Sequence, residues 1–192
     1  MIDYKIQLKL LSKATSYFYA DTLNGIVLYY YFLINRDFFD YLYQKFQGGE
    51  PPYVFSSILP SGYLPINSYF LADKLKSENL DKDKLKKIKK IKYLPYDWLG
   101  SLKAKSIDDF LDLTGKNPDV KKEIRVCNSL KNEQLFTVEE YWGRDFDLYL
   151  RVMDESVGEK IIDVLAEIFS FYLGKKKSVG YNQFEVVDIK KH

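Results

Sequence analysis

Leu173-Gly174-Lys175-Lys176-Lys177-Ser178-Val179-Gly180-Tyr181-Asn182-Gln183-Phe184 links the clearest helical pattern in this 192-residue chain to a strand pattern. Upstream, Ile161, Ile162, Leu165, Ile168, Phe169 and Tyr172 recur at helical spacing, starting near Gly158. Downstream, Phe184-Glu185-Val186-Val187-Asp188-Ile189 reads as a strand. Between them, two glycines bracket three lysines and a serine. Glycine permits positive φ and close backbone approach, so such a loop can present a row of N–H groups. Adjacent ammonium groups attract phosphate. The loop therefore reads in two ways. It is a backbone cradle for phosphate, or a solvated helix-to-strand turn whose lysines are favoured by the helix C-terminus.

Working outward, Tyr4-Lys5-Ile6-Gln7-Leu8-Lys9-Leu10 alternates apolar and polar residues and predicts a half-buried strand. Asp21 and Thr22 offer N-cap oxygens to a helix carrying Leu23, Ile26, Val27, Tyr30, Tyr31 and Ile34. A second helical piece runs from Asp37 to Phe46, and Gly48-Gly49-Glu50-Pro51-Pro52 stops it. Tyr53 to Leu59 predicts a short strand, followed by a turn-rich loop containing Tyr63. Asp81 to Lys92 is mostly lysine, with Leu85, Ile88 and Ile91 forming one narrow apolar stripe. It reads as a solvated helix face or as an electrostatic contact with RNA. Shorter helices are expected at Asp97 to Gly100 and Ile107 to Leu113. The region from about 72 to 125 reads as an insertion without a core, because it lacks a long amphipathic element. Gln134 to Trp142 and Phe146 to Val152 predict the two strands of a hairpin around Gly143.

Merged, the order is βαββαβ in one domain spanning 1–192. That predicts an α+β, ferredoxin-like (RRM-like) antiparallel sheet with two helices on one face, a lysine-rich helical insertion and a glycine-rich loop. The other sheet face would be open to RNA or a partner.

Composition bounds the chemistry. Hydrophobic residues make up 46% of the chain, and 17 Tyr and 13 Phe make it rich in surfaces that can pack or stack. The net charge is only +2, so any attraction to nucleic acid is local. Cys127 is the single cysteine and His192, the last residue, the single histidine. That excludes an internal disulfide, a Cys/His metal site, a Ser-His-Asp triad and a histidine base inside the fold. No cofactor is expected. Asp3, Lys5, Gln7 and Lys9 interrupt any signal-peptide pattern, and no apolar run approaches the roughly 20 residues of a membrane span. A soluble, cytoplasmic protein is the expectation.

Six segments, in order, resemble one family. They are Ala20-Asp21-Thr22-Leu23-Asn24-Gly25, Ser57-Ile58-Leu59-Pro60-Ser61-Gly62-Tyr63-Leu64-Pro65, Ile91-Lys92-Tyr93-Leu94-Pro95, Arg125-Val126-Cys127-Asn128-Ser129-Leu130, Gln134-Leu135-Phe136, and the glycine-rich stretch from Leu173 to Phe184. Together they resemble the RAMP superfamily of CRISPR ribonucleoproteins. Within it the likeness is to the fourth subunit of the type III-A (Csm) effector complex. Two departures stand out: Leu130-Lys131 replaces an Ile-Asp pair, and Asn182 stands where the family often has glycine.

The resemblance implies a non-catalytic subunit that caps the 5′ end of the complex. Such a subunit holds the 5′ handle of CRISPR RNA and docks the large polymerase/nuclease subunit and a backbone subunit, away from any membrane. The RNA-binding set it implies is Gly174, Lys175, Lys176, Lys177, Ser178, Gly180 and Tyr181, with Tyr63, Arg125 and Asn128 beside them. Tyr29, Tyr30 and Phe32 are expected to pack or to meet a partner. Family members are usually longer, with a second domain after the loop, so the chain reads as a minimal, truncated or divergent version. Two alternatives remain open. One is a CRISPR-RNA processing endoribonuclease of the same superfamily, disfavoured by the lack of an internal histidine. The other is a scaffold subunit with little RNA contact.

Overall fold

The computed structural model describes residues 1–14, 19–66, 81–114, 121–128, 135–143, 145–170 and 182–191. The elements run β1 (Ile2–Leu10), α1 (Ala20–Ile34), α2 (Arg36–Gln47), β2 (Tyr53–Phe55), β3 (Leu59–Pro60) and β4 (Tyr63–Pro65). They continue with α3 (Lys82–Ile88), β5 (Tyr93–Pro95), a 3-10 helix (Tyr96–Ala104), α4 (Ile107–Asp112), β6 (Lys121–Asn128), β7 (Leu135–Trp142), β8 (Asp145–Val152), α5 (Glu155–Ser170) and β9 (Phe184–Lys191). The fold is α+β with antiparallel sheets. It divides into two compact units: Met1–Ile58 with Val120–His192, and Leu59–Asp119.

In the first unit the strand order is β2-β8-β1-β9. β1 pairs antiparallel with both neighbours, Ile6 lying opposite Leu148 on one side and Ile189 on the other. The period-2 alternation read from Tyr4 to Leu10 puts Ile6, Leu8 and Leu10 on one face, level with Phe146, Leu148, Leu150 and Val152 of β8. Leu23, Val27 and Tyr31 of α1 and Val157, Ile161 and Leu165 of α5 enter the same buried cluster. Each fully buried aliphatic side chain there contributes roughly 1.5–3 kcal/mol. The Tyr31 hydroxyl donates to the Lys160 carbonyl at 2.8 Å, tying α1 to α5. Burial pushes that phenol up to about 12. Gly158 lets α5 lie close to the sheet: a Cβ there would sit 3.1 Å from Cγ1 of Val152. The strand order and helix placement are compatible with the expected βαββαβ arrangement.

Three expectations about individual elements need correction. Gln134 to Trp142 does not form a hairpin with the strand after Gly143. β7 pairs with β6, Leu135 opposite Asn128, and β8 is flanked by β1 and β2. Gly143 marks the break between two strands, but which strand each one pairs with is decided by non-local contacts. Neither Asp21 nor Thr22 caps α1. The helix begins at Ala20 after Tyr19, without a side-chain cap, and Asp21 lies in the first turn, where the dipole favours it. α5 forms where its stripe predicts, starting at Glu155 close to Gly158, with Asp154 accepting from the N–H of Ser156 at 3.0 Å. Tyr53 to Leu59 is two short pieces, not one strand.

The second unit has its own small core, although the sequence pattern hid it. Ile88, Leu94, Ile107 and Phe110 are buried together, with Trp98 edge-on to Phe110 at 5.5 Å. Four short elements contribute one or two residues each, so no single amphipathic stripe announces the cluster. Asp81 caps α3 by accepting from the N–H groups of Asp83 (2.9 Å) and Lys84 (2.8 Å). Ser106 and Asp109 form a capping box on α4.

Candidate nucleic-acid interface

The glycine-rich loop lies between α5 and β9 in the first unit. Gly174, Lys175, Lys176, Lys177, Ser178, Gly180 and Tyr181 themselves lie outside the described residues. What the structure describes is the anchor on which the loop lands. Asn182 is fully buried and has a φ of 64°, the left-handed region that asparagine tolerates better than most residues. Its N–H donates to the Lys13 carbonyl at 2.8 Å. The Gln183 N–H donates to the Ser12 hydroxyl at 3.0 Å, and the Leu11 N–H donates to the Gln183 carbonyl at 2.9 Å. Phe184 then enters the core, edge-on to Phe146 at 5.8 Å. The chain leaving the loop is thus hydrogen-bonded to the segment that leaves β1.

A buried ion pair reinforces this anchor. The Lys13 ammonium donates to Oε2 of Glu140 at 2.8 Å, and Glu140 is only 1% exposed. Among the described residues, the buried polar side chains are Glu140, Asp147 and Asn182. Two of these three belong to the loop's anchor. Sequence reading missed Lys13 and Glu140 because 127 positions separate them and neither lies in a local motif. Asn182 did carry a signal, since its position favours glycine.

The other expected contacts are distributed over both units. Tyr63 is half-buried on β4 of the second unit, opposite Pro95. The turn before it needs Gly62, with φ 77°, whose carbonyl accepts from the Tyr96 N–H at 2.8 Å. Arg125 and Asn128 lie on β6 of the first unit, opposite Val138 and Leu135.

The sheet face away from the helices is not a bare basic surface. Arg151 forks onto Asp3 at 2.7 and 2.8 Å, Lys5 pairs with Asp147 at 3.0 Å, and Lys190 with Asp188 at 3.1 Å. Its cations are largely engaged by neighbouring carboxylates, and Asp147 is fully buried. The corner between α1 and α2 has the opposite character. Tyr29 and Phe32 are exposed, Arg36 lies over Phe32 (4.5 Å) and Phe39 (5.0 Å), and Phe39 stacks on Tyr43. Tyr30 instead packs inward and donates to Glu167. Among the described residues, no group of His, Cys, Asp and Glu is placed to hold a metal ion, and no helix is long and apolar enough to cross a membrane.

No protein-family model and no curated protein matches the sequence. Solved structures do match over the whole chain. A chain of the Csm1-Csm4 cassette in complex with AMPPNP superposes with a TM-score of 0.65 and 18% identity, covering 100% of this chain and 71% of that one. A chain of the Csm3-Csm4 subcomplex in the type III-A CRISPR-Cas interference complex gives 0.55 and 16%, covering 99% and 69%. A chain of the type III-B Cmr-beta complex bound to cognate target RNA gives 0.55 and 14%, covering 99% of this chain. This chain spans 60% of that Cmr-beta chain's length. At such identities the likeness shows the fold: this chain is folded like chains found in type III CRISPR-Cas effector complexes.

Proposed function

We propose that this chain is a non-catalytic, Csm4-like subunit of a cytoplasmic type III-A CRISPR–Cas ribonucleoprotein. In this reading its βαββαβ core is ferredoxin-like. It holds the 5′ handle of CRISPR RNA and docks a large subunit and a backbone subunit. The observation that carries the reading is the whole-chain likeness to chains of both the Csm1-Csm4 and the Csm3-Csm4 structures, which share Csm4 as a component.

The loop's role follows from its residue types. Gly174 and Gly180 let backbone N–H groups approach phosphate oxygens, Lys175, Lys176 and Lys177 supply charge, and Ser178 donates a hydroxyl. Tyr181 or Tyr63 stacks on a splayed handle base, worth roughly 1–3 kcal/mol. Arg125 and Asn128 add lesser polar contacts. The rigid anchor at Asn182 and Lys13–Glu140 supports this reading, because a loop that must meet a phosphate benefits from a fixed point of return. The aromatic corner of exposed Tyr29, Phe32 and Tyr43 around the partly buried Phe39 suits a protein partner, since interfaces are enriched in aromatics and arginine.

The test is binding of the intact protein to labelled CRISPR RNA with and without its 5′ handle, over a salt series. Wild type is compared with the Lys175/Lys176/Lys177→Ala variant, and the RNA is then run on a gel. The expected result is handle-dependent binding to RNA that stays intact, with the salt slope reduced by about 2, or about 0.7 per lysine. Equal weak binding by both proteins would favour the scaffold reading. Cut RNA would favour a nuclease.

A further inference from the structure

We propose that the outward lysine face of α3 and the turn after it, Lys82, Lys86, Lys89 and Lys90, is a second RNA contact. It would grip phosphates without reading sequence, and it sits on the unit that does not carry the glycine-rich loop. Seven lysines, Lys82, Lys84, Lys86, Lys87, Lys89, Lys90 and Lys92, crowd this stretch, with Asp83 the one carboxylate among them. All seven are exposed. Among the described residues none of them is in an ion pair, whereas Lys5, Lys13 and Lys190 of the other unit all are.

The fold does not require this charge. Ile88, fully buried in the small core, anchors the helix, and Asp81 caps it. Lys82, Lys86 and Lys89 recur at i, i+4 and i+7 on the side away from Ile88, where like charges repel and destabilise a helix. With 7 residues, α3 is shorter than helices that persist alone. The arrangement therefore carries an electrostatic cost that a polyanion removes on binding.

The chemistry of the face selects the polyanion. Leu85 and Ile91 turn partly inward and Ile88 fully, so the outward side has no apolar edge to enter a bilayer. The stretch has no arginine and no aromatic residue before Tyr93, unlike the arginine- and aromatic-rich composition of protein interfaces. Mobile ammonium groups suit phosphates as point charges, and without a stacking ring or a planar fork nothing there reads a base.

The experiment uses the full chain and a labelled oligouridylate over a salt series, with Lys82/Lys86/Lys89/Lys90→Gln beside the matching quadruple Lys→Arg variant. Glutamine keeps helix propensity close to that of lysine. The Gln variant is expected to lower the slope of log K against log salt by about 3, and the Arg variant to preserve it. The loop variant Lys175/Lys176/Lys177→Ala, run in parallel, reports on the glycine-rich loop separately, so either site can fail while the other stands. An unchanged slope in the Gln variant overturns the proposal, and so does a slope that falls equally in the Arg variant. Displacement of the RNA by polyglutamate at matched charge also overturns it, by making the face a contact for an acidic protein.

Discussion

The two units of this chain use positive charge in opposite ways. In the first unit, Lys5 of the sheet meets the buried Asp147, and Lys13 meets the buried Glu140. On α3 of the second unit, exposed lysines stand side by side, none of them in an ion pair among the described residues. Burial makes a charge expensive unless it is paired, so the first set is bound up with the fold. Exposure makes a charge cheap to leave unpaired, so the second set remains available to a ligand. The same residue type is thus structural in one place and available for binding in another, and only burial separates the two.

Four sets of substitutions break or sharpen this contrast. Phe110→Ala should cost the second unit about 4 kcal/mol, the usual range for emptying a large buried ring site, because Phe110 is fully buried in a core of four residues. Hydrogen exchange of α3 and α4 amides reads this directly. A change confined to α4 would mean that the lysine helix does not depend on that core.

Lys5→Met should cost about 3 kcal/mol by urea denaturation, since it removes the ammonium paired with Asp147, whose carboxylate is fully buried. Any single Lys→Met change on the outward face of α3 should stay within about 0.5 kcal/mol. Equal effects at the two sites would erase the distinction between paired and available charge.

Asn182→Val should cost about 2 kcal/mol, because a β-branched residue resists a φ of 64°. Asn182→Gly should cost less than about 1 kcal/mol. Trypsin cutting at Lys175 to Lys177 should accelerate in the valine variant and not in the glycine variant. If both variants behave alike, the side chain of Asn182 matters and its backbone angle does not.

The smallest effect concerns pH. The Tyr41 hydroxyl donates to Asp154 at 2.6 Å, and this bond, followed by those from Ser156, holds the Asp154 carboxyl below its ordinary value of 3.8. A depressed carboxyl stabilises the fold above that value and loses its contribution as pH falls through and below it. Tyr41→Phe should therefore flatten the fall in stability between neutral pH and pH about 3. An unchanged acid profile would remove Asp154 from the acid response.

Much of the fold was legible because its elements carry strong periodic signals. The alternation of Tyr4 to Leu10 and the helical stripe from Ile161 are one-element patterns, and both elements formed where expected. The pairing of β7 with β6 was not legible, since a strand's sequence states its faces and not its neighbour. The core around Phe110 was hidden for a related reason: it is assembled from elements each too short to show a period. In the candidate site, the glycines and lysines of the loop announce themselves in sequence. Lys13 and Glu140 do not, because a partnership across 127 positions leaves no local trace. Asn182 stands between these cases, a non-glycine residue in a backbone conformation that glycine usually occupies.

The central position of β1 also bears on how the chain acquires its structure. Both neighbours of β1 are synthesised long after it: Ile2 waits for Val152, and Tyr4 for Lys191. Until they arrive, both edges of a strand carrying Ile6, Leu8 and Leu10 lack their partners, the state in which strands recruit other chains. Contacts so distant in sequence also slow the search for the native pairing. This sheet should therefore close late, and β1 should rely on shielding until both of its neighbours have been synthesised.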